Sequence, residues 1–176
     1  MDRFIFSQPT SWVIHYNRLN LQDALRIEDE NGNEVVHSRE KRWSLRDQVY
    51  FWDSETNEEL FRTRFRTFGS LFDTVEVVVG ERVIATLRPD IIGTRHVKCY
   101  EGDADFNLRN ETGARLLFEA SMLCCRPRDR DFEDANGDDM ATSRKSRCML
   151  CPANEYEVEC ESGVNCALIW AAVVAI

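Results

Sequence analysis

The sequence predicts a mainly-β domain of short antiparallel strands that carries one buried C-terminal helix. Three observations lead there. Apolar and polar residues alternate in short runs, hairpin-type turns separate the runs, and no 3.6-residue period appears before a wholly apolar final segment. The chain has 176 residues, 43% apolar and 30% charged, enough to bury one core, and it reads as a single domain over 1–176.

Four hairpins are expected, in order. The first joins Ala24–Glu28, where Leu25 and Ile27 alternate with Arg26 and Glu28, to Val35 and Val36 through Glu30-Asn31-Gly32-Asn33. Asn-Gly accepts positive φ at both central positions of a tight turn, which makes it the strongest short-range hairpin signal. The second runs from Val49–Trp52 through Ser54-Glu55-Thr56-Asn57 to Leu60–Phe65, and the third from Val75–Val79 through Gly80-Glu81 to Val83–Leu87. The fourth is expected between Phe106–Leu108 and Leu116–Phe118, across Asn110-Glu111-Thr112-Gly113. The first three form a weak repeat of about two dozen residues. Each copy opens on apolar residues before an aspartate, at Asp23, Asp47 and Asp73, and these read as turn residues whose carboxylates bond nearby backbone N–H groups. A series of hairpins makes a sandwich or a barrel, and closure is favoured because a meander otherwise leaves bare edges.

Two segments depart from this rhythm. From Arg126 to Arg147 the only large apolar residues are Phe132 and Met140, and the charges are grouped, so a polar loop or insertion is expected over about 126–147. The tail, 165–176, is apolar on every face after Asn165. As a helix it would reach roughly 18 Å, against about 30 Å of bilayer hydrocarbon. It reads as a core helix, with a shallow membrane anchor as the alternative, and Asn165 or Ser162 as its cap.

Charge and cysteine usage limit the function classes. The net charge of −9 excludes general nucleic-acid binding, which needs a cationic field. Seven cysteines, an odd number, with no apolar leader before Gln8 and Pro9, point to an intracellular, cytoplasmic protein with reduced thiols.

The order of these features resembles a known group. Asp29-Glu30-Asn31-Gly32-Asn33-Glu34-Val35, Trp43-Ser44-Leu45-Arg46-Asp47, and the strand Tyr156-Glu157-Val158-Glu159-Cys160 leading into Ala167-Leu168-Ile169-Trp170-Ala171-Ala172-Val173-Val174-Ala175-Ile176 carry the likeness. They resemble the LURP-one-related group of the tubby C-terminal-like fold, which also includes phospholipid scramblases. The likeness covers Ile14 to Pro89 and Glu155 to the end, and fades between Cys99 and Cys151. It implies a closed antiparallel barrel of about a dozen strands wrapped around the C-terminal helix. That placement also answers the physical need of a tail apolar on all sides.

Three constellations bear on chemistry. On a strand, Phe61, Thr63 and Phe65 face one way and Arg62, Arg64 and Arg66 the other, with guanidinium groups about 6.6 Å apart along the strand. Such a ladder suits phosphate, since arginine binds it bidentately, and tubby domains bind phosphoinositides through basic surface residues. The bland reading is a solvated face neutralised by neighbouring carboxylates. Cys148-Met149-Leu150-Cys151, with Cys124-Cys125 upstream, offers four thiols for zinc or a redox pair, and plain loop cysteines are the competing reading. Cys99, Cys160 and Cys166 read as small core residues. Asp134-Ala135-Asn136-Gly137-Asp138 is no calcium loop, because Phe132 and Ser143 stand where an EF-hand needs an acid and a bidentate Glu. His15, His37 and His96 are scattered, and no phosphate loop or nucleophile elbow is present.

The sequence therefore leads to a non-catalytic barrel, without cofactor, acting as a monomeric binding or adaptor protein for a protein partner. Anionic membrane lipid, including phosphoinositide, is the second ligand class, bound through Arg62, Arg64 and Arg66 with peripheral membrane association. The alternative is a zinc- or redox-dependent protein using Cys148 and Cys151 with Cys124 and Cys125.

Overall fold

The computed structural model describes residues 2–17, 25–40, 48–66, 74–89, 96–103, 115–123, 126–146 and 153–175. Among them are β1 (Thr10–Asn17), β2 (Leu25–Asp29), β3 (Glu34–Glu40), β4 (Gln48–Asp53), β5 (Glu59–Arg66) and β6 (Thr74–Val79). There follow β7 (Arg82–Pro89), β8 (His96–Glu101), β9 (Leu116–Leu123), β10 (Arg126–Glu133), β11 (Asp139–Lys145) and β12 (Ala153–Cys160). Each strand pairs antiparallel with its sequence neighbours, and β12 pairs back onto β1, closing a twelve-stranded barrel. A 3-10 turn, Asp2–Phe4, precedes β1, and one helix, α1 (Cys166–Ala175), follows β12. The predicted class, a closed antiparallel barrel with a hydrophobic C-terminal helix, is the observed one.

Period-two alternation decides which side chains turn inward. Ile14 on β1, Ile27 on β2, Phe51 on β4, Phe61 on β5, Val77 on β6, Phe118 on β9 and Val158 on β12 join one core cluster with α1. The helix is covered on all sides: Ala167, Ile169, Trp170, Ala171 and Ala172 are 0% exposed. A helix apolar all round has no solvent face to offer, so it occupies the barrel axis. Phe4 and Trp12 both meet the Trp170 ring edge-on, with centroids 4.9 Å away in each case. Ile5 bridges to Asn165, which ties the N-terminal segment across the end where α1 enters. The helix is ten residues long, and among the described residues no helix is long and apolar enough to cross a membrane.

The far end of α1 has an ionic partner. Arg130, only 6% exposed, reaches inward from β10 and donates from Nη1 to the Val173 carbonyl at 3.3 Å. Burial pushes its guanidinium below the usual arginine value. A cation suits the negative end of a helix dipole, where the last carbonyls lack partners within the helix.

Three expectations change. The segment 126–147 is not a polar loop: β10 and β11 form a hairpin within it, in register at Arg130↔Ser143 and Phe132↔Ala141. Asp134-Ala135-Asn136-Gly137-Asp138 is its turn, with Gly137 at φ +87°. The upstream partner of β9 is β8, with Lys98↔Glu119 in register, and 106–108 lies outside the described residues. Asn165 caps α1 through its backbone carbonyl, which accepts from Leu168 N–H at 3.1 Å, while its side-chain Oδ1 has no hydrogen-bond partner among the described residues. Asp23, Asp47 and Asp73 also lie outside the described residues.

Aspartates at the ends of strands do the turn-making that is visible. Asp29 Oδ1 accepts from the backbone N–H of Asn31 and Asn33, at 2.9 and 2.8 Å. Asp134 Oδ1 does the same for Asn136 and Asp138, at 2.8 and 3.0 Å. At Asp53, 1% exposed, burial pushes the carboxyl up, but the N–H groups of Thr56 and Glu55 and the Arg3 guanidinium outweigh it, leaving the acid below its usual value. Hydrogen bonds from Asn33 and Asp138 likewise hold Asp29 and Asp134 low. Acids whose pKa is depressed on folding add stability above their unfolded pKa of about 4, and lose it as pH falls through the folded values. Urea midpoints should therefore fall below about pH 4, with Asp53→Asn showing a shallower fall than the wild type. A variant that loses stability in acid as steeply as the wild type would discount Asp53.

Candidate functional site

The arginine strand folds with the predicted polarity. On β5, Phe61 and Thr63 are 0% and 2% exposed and face the core, while Arg62 and Arg64 face outward. Of Phe65 and Arg66 only the backbone is described, with Arg66 opposite Thr74. Both described guanidiniums are already engaged. Arg64 donates from Nε to Glu76 Oε2 at 2.6 Å, and that carboxylate, on β6, is 3% exposed. Arg62 donates from Nη2 to the Gly80 carbonyl at 2.8 Å and from Nη1 to Glu59 at 3.3 Å, with the Tyr50 ring 5.8 Å from its carbon. An incoming phosphate must compete with Glu76 and Glu59 for the same donors.

The other chemical candidates separate cleanly. Cys124, Cys125, Cys148 and Cys151 lie outside the described residues. Among the described residues, no three of His, Cys, Asp and Glu are arranged to hold a metal ion. His15 lies between Glu28 and Glu155, at 3.1 and 3.2 Å, and ties β2, β1 and β12 together on the outer surface. His37 Nδ1 is 3.2 Å from Ser54 Oγ, but that hydroxyl donates its proton to Glu34 Oε1 at 2.9 Å. His37 Nε2 is buried without a hydrogen-bond partner among the described residues. The arrangement braces the turn: with the serine proton given to Glu34, the hydroxyl oxygen is left to accept from the imidazole.

One concave feature stands at the rim where α1 enters. Residues 6–12 and the turn Asp29-Glu30-Asn31 line an open cleft of about 410 Å³. Register builds it: Trp12 sits opposite Asp29, so the first turn of the barrel leans over the segment that leads into β1. Phe6 and Trp12 pack with centroids 5.6 Å apart and form its aromatic side. Trp12 Nε1 donates to Thr10 Oγ1 at 3.0 Å. The Asp29 carboxylate is taken up by its own turn, whereas Glu30 is exposed. Sequence reasoning missed this cleft because its two walls meet only through strand pairing.

Beneath it lies a pair of thiols. Cys160 and Cys166 are each 1% exposed, and both lie against Thr10, the register partner of Cys160 across the sheet. Cys166 Sγ is 3.5 Å from Thr10 Oγ1 and 3.8 Å from the Val164 carbonyl. The neighbouring Cys160 thiol draws the Cys166 thiol down from its ordinary value, helped by Thr10 and Trp12, and Cys160 is raised in turn. Cys99, also buried, is pushed up by burial.

Comparison with known proteins agrees with the architecture. An X-ray structure of a protein from Arabidopsis thaliana superposes with a TM-score of 0.68, covering 99% of this chain and 93% of that one at 14% identity. At that identity the likeness is one of fold. No curated protein matches the sequence. The sequence pattern described as LURP-one-related matches residues 10–176, from β1 to the end of the chain, and the chain belongs to the LURP-one-related family.

Proposed function

We propose that this protein is a non-catalytic binding or adaptor module that engages its ligand outside the barrel, in the rim cleft, and that the ligand is a protein segment presenting a basic side chain. The occupied axis carries this reading. Barrels that hold small molecules do so in the lumen, and here Ile169, Trp170 and the inward strand residues fill that space. Recognition is left to the outer surface. In the cleft, Phe6 and Trp12 supply apolar area and Glu30 an exposed carboxylate. A basic side chain there gains from the aromatic face and from the charge together. The net charge of −9 favours encounter with a cationic partner. The protein on this reading is a cytoplasmic monomer that works without a cofactor.

The second reading is anionic lipid head groups at Arg62, Arg64 and Arg66, favoured by the outward placement of the first two. One experiment separates the two. A panel of lysine- and arginine-containing peptides is titrated against the wild type and Glu30→Lys, and the same proteins are floated with phosphoinositide-doped vesicles. The cleft reading expects peptide affinity to fall by about tenfold or more in Glu30→Lys and vesicle association to be absent. Flotation that disappears in Arg62→Gln supports the lipid reading instead. Arg64 is left intact in that variant, because Glu76 is buried against it.

A further inference from the structure

We propose that Cys160 and Cys166 are an oxidisable dithiol pair that a hydroperoxide converts into an intrachain disulfide, locking the end of β12 to the first turn of α1. The proposal goes beyond the binding function and holds whether or not the cleft takes a ligand.

The fold brings the two sulfurs together by two independent routes. Across the sheet, Cys160 is the register partner of Thr10, and Thr10 Oγ1 touches Cys166 Sγ at 3.5 Å. Along the chain, a tight turn over 161–165 returns the backbone: Gly163 takes φ +79°, its N–H bonds the Phe6 carbonyl at 2.7 Å, and Val164 N–H bonds the Glu161 carbonyl at 3.3 Å. Both thiols therefore converge on the Thr10 side chain, so cross-linking asks for little movement of the backbone.

The surroundings favour Cys166 as the attacking sulfur. The Thr10 hydroxyl accepts from Trp12 Nε1 at 3.0 Å, which leaves its own proton to donate to sulfur. Cys166 also stands at the first position of α1, where backbone N–H groups are unpaired and favour negative charge. These donors draw the thiol toward thiolate, the reactive form. Thr10, whose hydroxyl touches the sulfur, itself lines the open cleft, so a molecule as small as hydrogen peroxide has a short approach.

The chemistry balances with peroxide as the oxidant. The Cys166 thiolate attacks the O–O bond, an S–O bond forms, and hydroxide leaves and is protonated to water. The Cys160 sulfur then attacks the sulfenic sulfur, the S–S bond forms, and a second water leaves. Two thiols and one hydrogen peroxide give one disulfide and two waters.

Mass spectrometry of the full-length protein tests this. The protein is exposed to hydrogen peroxide, alkylated under denaturing conditions and cleaved after Glu161, which places the two cysteines on separate peptides. The expected product is the two peptides joined, lighter by two hydrogens than the reduced pair and separated again by dithiothreitol. It should form at least about tenfold faster than the thiol of Cys99 is lost, since burial raises Cys99 away from the reactive thiolate. Cys160→Ser should instead leave a sulfenic acid on Cys166 that dimedone traps. Recovery of Cys160 and Cys166 fully alkylated while Cys99 is consumed would overturn the proposal, as would their cross-linking to other cysteines in place of each other. The wild-type measurement decides the matter even if the variant fails to fold.

Discussion

A chain ending at Val164 should collapse without a cooperative unfolding transition. The shortened protein keeps every strand, so hydrogen-bond pairing alone predicts little change. Filling predicts otherwise. The removed helix buries Ile169, Trp170 and Val173, with Ile169 and Trp170 at 0% exposure, and half-buries Leu168 and Val174. At about 1.5–3 kcal/mol for each large apolar side chain buried, the loss is on the order of 10 kcal/mol. That is comparable to the whole stability of an ordinary domain, about 5–15 kcal/mol. The loss continues on the strand side, because Phe51, Phe61, Phe118 and Phe132, each at most 1% exposed, would then face a void or water. Urea titration followed by circular dichroism, with dye binding as a second probe, checks this. A sharp, two-state transition near the wild-type midpoint would show that the sheet closes on itself without the helix.

The second large effect is at one ring. Trp170→Ala should cost about 3–5 kcal/mol, the usual range for emptying a large aromatic site in a core. Its neighbours Phe4 and Trp12 come from different segments, and both pack edge-on at 4.9 Å, so the cavity cannot close by a simple shift of one strand. Trp170→Phe should cost less, about 1–2 kcal/mol. The indole Nε1 is buried with no hydrogen-bond partner among the described residues, and phenylalanine removes that donor along with the ring volume. The difference between the two variants, read from denaturant midpoints at equal slope, separates packing from polarity. Equal costs would indicate that the site relaxes around any residue.

Much of the barrel was legible because its period and its turns agree. Leu25 and Ile27, Asn31-Gly32, Val75 and Val77, and Gly80 carry strand and turn signals in the right order. The tail was legible for another reason: nothing but burial suits a segment apolar on every face. The β10–β11 hairpin was not legible, and the cause is physical. Its inward positions hold Arg130, Phe132, Ala141 and Ser143, small or polar except for the phenylalanine, so the apolar alternation is missing. Arg130 stands there because the Val173 carbonyl at the end of the helix needs a donor. A rule that asks for apolar residues on the buried face misreads a strand whose buried face serves a helix terminus.

The sites divide in the same way. The outward turn of Arg62 and Arg64 followed from alternation within one strand. Their engagement by Glu59 and Glu76 did not, because β6 had to be placed beside β5 first. The rim cleft and the thiol pair depend on longer pairings still, Trp12 with Asp29 and Thr10 with Cys160.

The seam between β1 and β12 governs how such a molecule is made. Thr10 finds its partner only when Cys160 exists, and α1 is synthesised later than both. A ribosome delivers the meander hairpin by hairpin, yet closure around the axis waits for the last dozen residues. Until then the nascent sheet keeps two bare edges and an unfilled apolar face, the condition in which chains aggregate or recruit chaperones. The topology also places the joining of distant residues late and makes folding slow. Synthesis rate and chaperone supply should therefore limit the yield of this barrel more than its final stability does.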